Sequence, residues 1–452
     1  MNLSHKPSTK KWIRFWIFGF LVINLVCHLS AGTNADSRFA TLLAIAEDHT
    51  FKIDPYVTLT VDWARTPDGH FYSNKAPGPS LIAAPVFLFL EKLAYADVQN
   101  KDERVHLLIK YKATWLKLVS YLFQLIPFMW VAYFISVKLI EQEYSTSTVY
   151  LALAALLFGN TASVFMSTFY GHGMTAVWLL SMVLCARYGR YYGVGFCFGL
   201  SVLSDYSAVL LFFPLLFLIK RDARNFLKIV LGGVFPFALW SLYHTSCFGN
   251  PLHIANEFQN PIFKDVISEK GNLWGILLPF PNFSTLTQLI VGPSRGMIWV
   301  VPWILVLVGW SLVSVFTHRA SEIPPELRFS IVGLGLLLWM NSCFGGWHGG
   351  LTPGPRYLSP IFPVFALSLA LSFEKMNLMW QRALFVSVGI SVLFTAFVYS
   401  TNISPELVPL WPTYLKQTLV NPTSSTVARL ILVVPSLIVL SLKSLRWPRI
   451  LK

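Results

Sequence analysis

Residues 34–85 read NADSRFATLLAIAEDHTFKIDPYVTLTVDWARTPDGHFYSNKAPGPSLIAAP. The stretch holds five aspartates, one glutamate, several basic residues and a Lys-Ala-Pro-Gly-Pro turn beginning at Lys75. An apolar run ending near Ala31 precedes it, and most of the chain beyond Pro85 is apolar enough to dissolve in lipid. A polar, turn-rich loop set against such a body is where chemistry at a membrane surface has to sit. The expectation is that the remaining apolar segments hold this loop over a cavity at the outer face of a bilayer.

Composition supports the membrane half of that reading. The chain has 452 residues, 55% hydrophobic and only 12% charged, where a soluble domain carries about a quarter charged residues. Many apolar runs reach the ~18–20 residues that cross a hydrocarbon core. The formal net charge of +14 does not argue for nucleic acid, because the basic residues gather at segment ends, as the positive-inside pattern requires. Five scattered cysteines without a CxxC pair read as small core hydrophobes and not as a metal or disulfide framework.

Moving outward from the loop, Lys6, Lys10, Lys11 and Arg14 precede the first apolar run. It resembles a signal peptide but is read as an uncleaved anchor, with the N-terminus cytoplasmic. Within the first outer loop, taken as 34–110, Phe39, Leu42, Leu43 and Ile45-Ala46 fall at helical spacing and predict a short interfacial helix. Residues 80–93 are apolar but short for a span and read as a re-entrant or interfacial helix. Spans are expected at 113–137, 146–165, 172–185, 226–245, 297–316, 329–344, 358–373, 383–399 and 427–442. The run 193–219 is broken at Ser204-Asp205-Tyr206 and reads as a hairpin of short helices. A second outer loop covers 247–295 and a late outer turn 345–358. The chain therefore reads as one integral membrane domain, 1–452, all-α and polytopic, with about 11–13 transmembrane helices and a cytoplasmic C-terminus.

Ionised groups beside lipid cost several kcal/mol unless paired or wetted, so they are the functional candidates. On the outer side these are Asp36, Lys75, His172, Asp205, Arg295, His348 and Arg356, with Tyr72 and Tyr357 beside them. If the first loop and the late turns converge, one cavity holds a carboxylate with several cations. Cations beside lipid suit a phosphate headgroup, and a carboxylate opposite them suits a general base acting on an acceptor hydroxyl or amine. Together they describe displacement of a phosphate leaving group, simplest with inversion at a sugar carbon. Each group also has a plainer use: Asp36 as a helix cap, Lys75 snorkelling to headgroups, His172 hydrogen-bonded in a core, Asp205 capping a half-helix, Arg356 holding a turn. Glu47, Asp48, Asp54, Asp62 and Asp68 read as mostly solvated loop charges.

In order, an acidic residue after the first span, an amphipathic helix, Asp54-Pro55-Tyr56 and the run Tyr72-Ser73-Asn74-Lys75-Ala76-Pro77-Gly78-Pro79-Ser80-Leu81 resemble the first outer loop of GT-C class glycosyltransferases. The resemblance is to the protein mannosyltransferase-like proteins and aminoarabinose transferases of that class. Phe169-Tyr170-Gly171-His172, Phe248-Gly249-Asn250-Pro251-Leu252, Trp347-His348-Gly349-Gly350 and Gly354-Pro355-Arg356-Tyr357-Leu358-Ser359-Pro360 extend it over nearly the whole chain. It implies a GT-C-like bundle, a polyprenyl-phosphate-linked sugar donor, and a lipid, glycan or protein acceptor. Transfer would take place on the periplasmic side of a bacterial inner membrane. By the same resemblance Asp36 is the catalytic acid of the first loop, and Lys75, Arg356 and His348 hold the donor phosphate; Arg295 joins them as a candidate from its charge on the outer side. His172, Asp205, Tyr72 and Tyr357 are the candidates for lining a substrate cavity, from their place on the outer side and not from the resemblance. No metal ligand is implied, although such chemistry admits a divalent cation as cofactor. The usual Asp-Glu pair appears here as Asp36-Ser37. A transporter or flippase for a lipid-linked or anionic solute is the alternative, since broken helices and membrane charges fit that too.

Overall fold

The computed structural model describes residues 6–27, 32–220, 222–266, 280–401 and 407–420. In chain order its helices are α1 (Lys6–Val26), α2 (Thr33–Asp48), α3 (Gly78–Ala94), α4 (Lys101–Lys110), α5 (Lys112–Ser120) and α6 (Ile126–Glu141), then α7 (Thr146–Leu157), α8 (Gly171–Arg187), α9 (Tyr191–Ser204), α10 (Phe212–Leu215), α11 (Ala223–Phe248) and α12 (Phe283–Ile290). They continue with α13 (Met297–Val300), α14 (Pro302–Phe316), α15 (Pro325–Cys343), α16 (Phe362–Phe373), α17 (Leu378–Thr401) and α18 (Leu410–Leu415). The strands described are a single antiparallel hairpin, β1 (Trp63–Arg65) with β2 (Phe71–Ser73). The protein is an all-α polytopic membrane protein.

Among the described residues, four helical stretches are long and apolar enough to cross a bilayer: Lys112–Glu141, Ala223–Phe248, Arg356–Phe373 and Leu378–Thr401. Thr146–Leu157, Tyr191–Ser204, Tyr206–Leu215 and Pro302–Phe316 are shorter apolar helices. Their surroundings differ. In its most apolar window, Arg356–Phe373 is 89% buried against other helices, whereas Ala223–Phe248 is 17% buried. The first stretch is therefore central. The second, α11, turns Phe226, Leu231, Phe235, Phe237 and Leu242 outward, a face that only lipid or a partner would cover. The expected span 427–442 lies outside the described residues.

Two local features position the site. α11 packs against α9 almost backbone to backbone, since a Cβ on Gly195 would sit 1.8 Å from the Ile229 carbonyl oxygen; small residues permit such an approach. At the end of α9 the chain breaks at Asp205, which is extended at φ −153°, ψ 115°, and a 3-10 turn (Tyr206–Leu211) comes next. Phe198 and Phe212 meet across the break with ring centroids 6.0 Å apart, so the run 193–219 turns back on itself with Asp205 at its tip.

The first loop is more buried than its sequence suggests. α2 begins at Thr33, three residues before Asp36, and covers Ala35, Phe39, Ala40, Leu42, Leu43 and Ala44, so it is a packed helix and not one lying on a surface. Asp36 stands in its first turn and not at the cap, which is Gly32; a carboxylate there also suits the helix dipole. Asp54-Pro55-Tyr56 opens a 3-10 turn (Asp54–Leu59). Glu47 and Asp62 are buried, a departure from solvated loop charges. Glu47 is held by Arg104 Nε at 2.7 Å and Nη2 at 2.5 Å. The far ends of α7, α8, α15 and α16 carry separate ties, Arg187 Nη1 to Glu326 Oε1 at 2.6 Å and Ser145 N to Glu374 Oε1 at 2.7 Å. The candidate site lies at the opposite, loop-bearing end.

Candidate functional site

The hairpin register builds the first half of the site. Trp63 pairs with Ser73 and Arg65 with Phe71, so Asp62, just before β1, faces the chain just after β2. The Lys75 Nζ donates to Asp62 Oδ1 at 2.8 Å. The other carboxylate oxygen, Oδ2, accepts from Thr33 Oγ1 at 2.7 Å. Ser37 Oγ donates to the Asp62 carbonyl oxygen at 2.5 Å and shares a 2.6 Å hydrogen bond with Ser73 Oγ. α2 and the hairpin are thus locked together around one aspartate. Burial alone raises the Asp62 pKa, but Lys75, Thr33 and the charge of Arg356 outweigh it and hold it below the usual aspartate value. For Lys75 burial wins over Asp62, and its pKa is lowered.

Asp36 lies one helical turn beyond Thr33 on α2. Its Oδ1 is 2.7 Å from Lys112 Nζ at the start of α5. Burial raises the Asp36 pKa, Lys112 opposes this, and the nearby charge of Asp62 adds to it. The first-loop acid is therefore ion-paired with a lysine outside the expected set, while Lys75 belongs to Asp62.

Arg38 occupies the buried phase of α2, in step with Ala35 and Leu42. It is 5% exposed. Nη1 donates to the Asn34 carbonyl at 3.1 Å and also meets Asn34 Oδ1, while Nε is buried without a hydrogen-bond partner. Burial pushes its pKa down to about 10, against the favourable charges of Asp205 and Asp62, so the guanidinium is still charged at neutral pH. Ser80 Oγ donates to the Arg38 carbonyl at 3.1 Å, tying the start of α3 to this turn.

The late turn contributes Arg356. Gly349 has φ +74°, and a Cβ there would lie 3.0 Å from Arg356 Cγ, Cδ and Nε; the glycine makes room for that side chain. The Arg356 guanidinium lies 4.9 Å over the Tyr357 ring and 6.0 Å over the Tyr170 ring. Nη2 donates to Tyr357 Oη at 3.0 Å, and Nε is buried without a hydrogen-bond partner. His172, at the start of α8, meets Asp205 Oδ2 through Nδ1 at 2.8 Å, and its ring stands edge-on to Tyr357 at 5.5 Å.

Arg38 feels the charges of Asp205, Asp62 and Arg356, Lys75 those of Asp62, Arg356 and Arg38, and His172 those of Asp205, Arg356 and Arg38, so through the two arginines residues from the first loop, α8, the α9 break and the late turn share one site. Three cations face two carboxylates, leaving one positive charge in excess. Such an arrangement favours an anion, and the two buried Nε–H groups of Arg38 and Arg356 are donors left without a partner.

Other expected residues stand elsewhere. Arg295 is completely buried and donates from Nε to the His348 carbonyl, from Nη1 to the Ser294 carbonyl and from Nη2 to the Gly350 carbonyl, each at 2.7 Å. His348 Nδ1 accepts from Gly350 N at 3.0 Å. Both therefore build the late turn that carries Arg356. Tyr72 packs edge-on to Phe248 at 5.6 Å in a separate aromatic layer with Tyr243. Among the described residues no group of three or more His, Cys, Asp or Glu side chains is placed to hold a metal ion. Arg38, Asp62 and Lys112 join the site without having stood out in the sequence. The signal for Arg38 is a charge inside the apolar stripe of a helix, and for Asp62 and Lys75 it is their matched positions flanking a hairpin.

Fold and site define an all-α polytopic membrane protein that gathers an excess of cations at one end of its helices. No family model matches the chain, and no curated protein matches it. Two solved structures are similar to it, both of ArnT from Cupriavidus metallidurans. The apo state has a TM-score of 0.46 at 12% identity, covering 97% of this chain and 75% of that one. The state bound to undecaprenyl phosphate has a TM-score of 0.49 at 12% identity, covering 96% and 75%.

Proposed function

We propose that this protein is a membrane glycosyltransferase of the GT-C type, moving a sugar from a polyprenyl-phosphate donor to a lipid, glycan or protein acceptor. The observation that carries the reading is the meeting of Arg38 and Lys75, both from the first loop, with Arg356 of the late turn, around buried carboxylates at the loop-bearing end. The cations bind the donor phosphate and stabilise the charge that develops on it as the sugar leaves. Asp36 accepts the proton of the acceptor's nucleophile, and the product sugar is inverted. Lys75 reaches the phosphate by giving up Asp62 for it. A bacterial inner membrane with both termini cytoplasmic puts this end on the periplasmic side.

The test is incubation of the purified protein with a panel of polyprenyl-phosphate sugars and an envelope extract as acceptor, following release of the carrier phosphate. Release that is lost in Asp36→Asn supports the reading. Release from no donor, or full release in Asp36→Asn, removes it.

A further inference from the structure

The His172–Asp205 pair has no task in the transfer as written. Asp205 Oδ1 accepts from Ser207 N at 3.1 Å and from Ser207 Oγ at 2.8 Å, and Oδ2 faces His172 Nδ1 at 2.8 Å. A carboxylate fixed in this way selects the tautomer protonated on Nδ1 and leaves Nε2 as the ring's remaining hydrogen-bonding atom. His172 is buried and shares two aromatic neighbours with Arg356: its ring is 5.5 Å from that of Tyr357 and 6.4 Å from that of Tyr170. On α2, Arg38 Nη2 comes within 2.9 Å of where a Cβ on Gly171 would be. The charged and titratable groups around the ring are thus Asp205, Arg38, Arg356, Tyr170 and Tyr357. Asp62 and Lys75 each interact with both arginines.

We propose that His172 is a further ligand of the bound phosphate, donating from Nε2 as an imidazolium after taking one proton from solvent when the anion binds. The inference rests on the phosphate reading of the site and adds a ligand to it. With the site free of anion, two guanidinium groups oppose a further positive charge on the ring. A phosphate held between them removes that opposition, and Asp205 already stands where it stabilises the charged ring. Asp205 is a positioning residue in this scheme. No bond other than N–H is made or broken, and the added proton leaves again with the anion.

The probe is a long-chain dialkyl phosphate, which stays a monoanion across the range in which histidine titrates, about pH 5.5 to 8.5, so any pH dependence belongs to the protein. Binding to the full-length protein in detergent is expected to weaken by up to about tenfold per pH unit over part of that range, as linkage requires. Calorimetry in two buffers of different ionisation enthalpy is expected to show net proton uptake on binding. His172→Asn should remove both the slope and the uptake, and Asp205→Asn should reduce the uptake. Wild-type binding that is flat with pH and takes up no proton overturns the inference and leaves the phosphate site standing, as does undiminished uptake in His172→Asn. Absence of binding at every pH overturns both. Should the His172 and Asp205 variants fail to fold, uptake that persists in both Lys75→Ala and Asp36→Asn supports the histidine, and uptake lost in either overturns the inference.

Discussion

Lys75 and Asp62, thirteen positions apart, meet at 2.8 Å because the β1–β2 register folds one onto the other. Both side chains are largely buried, 19% and 9% exposed. The pair is thereby a structural tie and, on the proposed reading, a reservoir: the lysine that holds a donor phosphate waits on an aspartate.

Removing one partner separates these roles. Asp62→Asn leaves a nearly buried ammonium without its counter-charge, at a cost on the order of 3 kcal/mol, read as a lower melting temperature. Lys75→Ala removes a charge-assisted hydrogen bond to the donor, worth about 1.5–3 kcal/mol, so the donor KM should rise tenfold or more. An unchanged donor KM in both Lys75→Ala and Arg356→Ala would remove the phosphate assignment.

The same pair sets an acid limit to stability. The folded pKa of Asp62 lies below its ordinary value, so the unfolded chain binds the proton more readily. The stabilisation is present above the unfolded value, about pH 3.9, and is lost as pH falls through the lower folded value. Thermal unfolding followed from neutral pH downward should show a drop below about pH 3.9 that is smaller in Asp62→Asn.

Asp36 carries the opposite sign. Burial raises its pKa in the folded state, with Lys112 opposing, and a general base works only when ionised. The transfer rate should therefore fall on the acid side at a pH above that of an ordinary aspartate. Lys112→Met removes the opposing charge, so this acid limb should move to higher pH, and Lys112→Arg should restore it. A limb that stays in place in Lys112→Met would show that another group titrates.

How much of the molecule is legible in its sequence depends on how local each signal is. The all-α membrane architecture rests on apolar runs and on the Ser204-Asp205-Tyr206 break, which are local and readable. The convergence of the first loop with the late turn is an expectation drawn from charge and resemblance, and the pairing inside it is not visible. Asp62 looks like one more loop aspartate because its burial comes from α2 and the hairpin closing over it, through Thr33, Ser37 and Ser73. Arg295 looks like a phosphate ligand because nothing local shows that three carbonyls, from its neighbour and the late turn, surround it.

That surrounding gives Arg295 a different signature from Arg356. Arg295→Lys cannot reproduce three donations from a planar fork, and each buried carbonyl left without a donor costs about 1–3 kcal/mol. The variant should unfold at clearly lower temperature, while its surviving folded fraction keeps a donor KM close to wild type. A selective loss of donor affinity at unchanged stability would return Arg295 to the phosphate.

Gly349 tests the late turn from the backbone side. An alanine there would hold φ +74° against its own preference, at about 1–2 kcal/mol, and its Cβ would press on Arg356 at 3.0 Å from Cγ, Cδ and Nε. The guanidinium rests on Tyr357 and Tyr170, so it has to slide along those rings to relieve the contact. Gly349→Ala should therefore raise the donor KM through Arg356 although residue 349 offers no side-chain group to the donor. Added to Arg356→Ala, the same substitution should have little further effect on KM, because the side chain it displaces is gone. Additive losses in the double variant would mean that Gly349 acts on the site by some route other than Arg356.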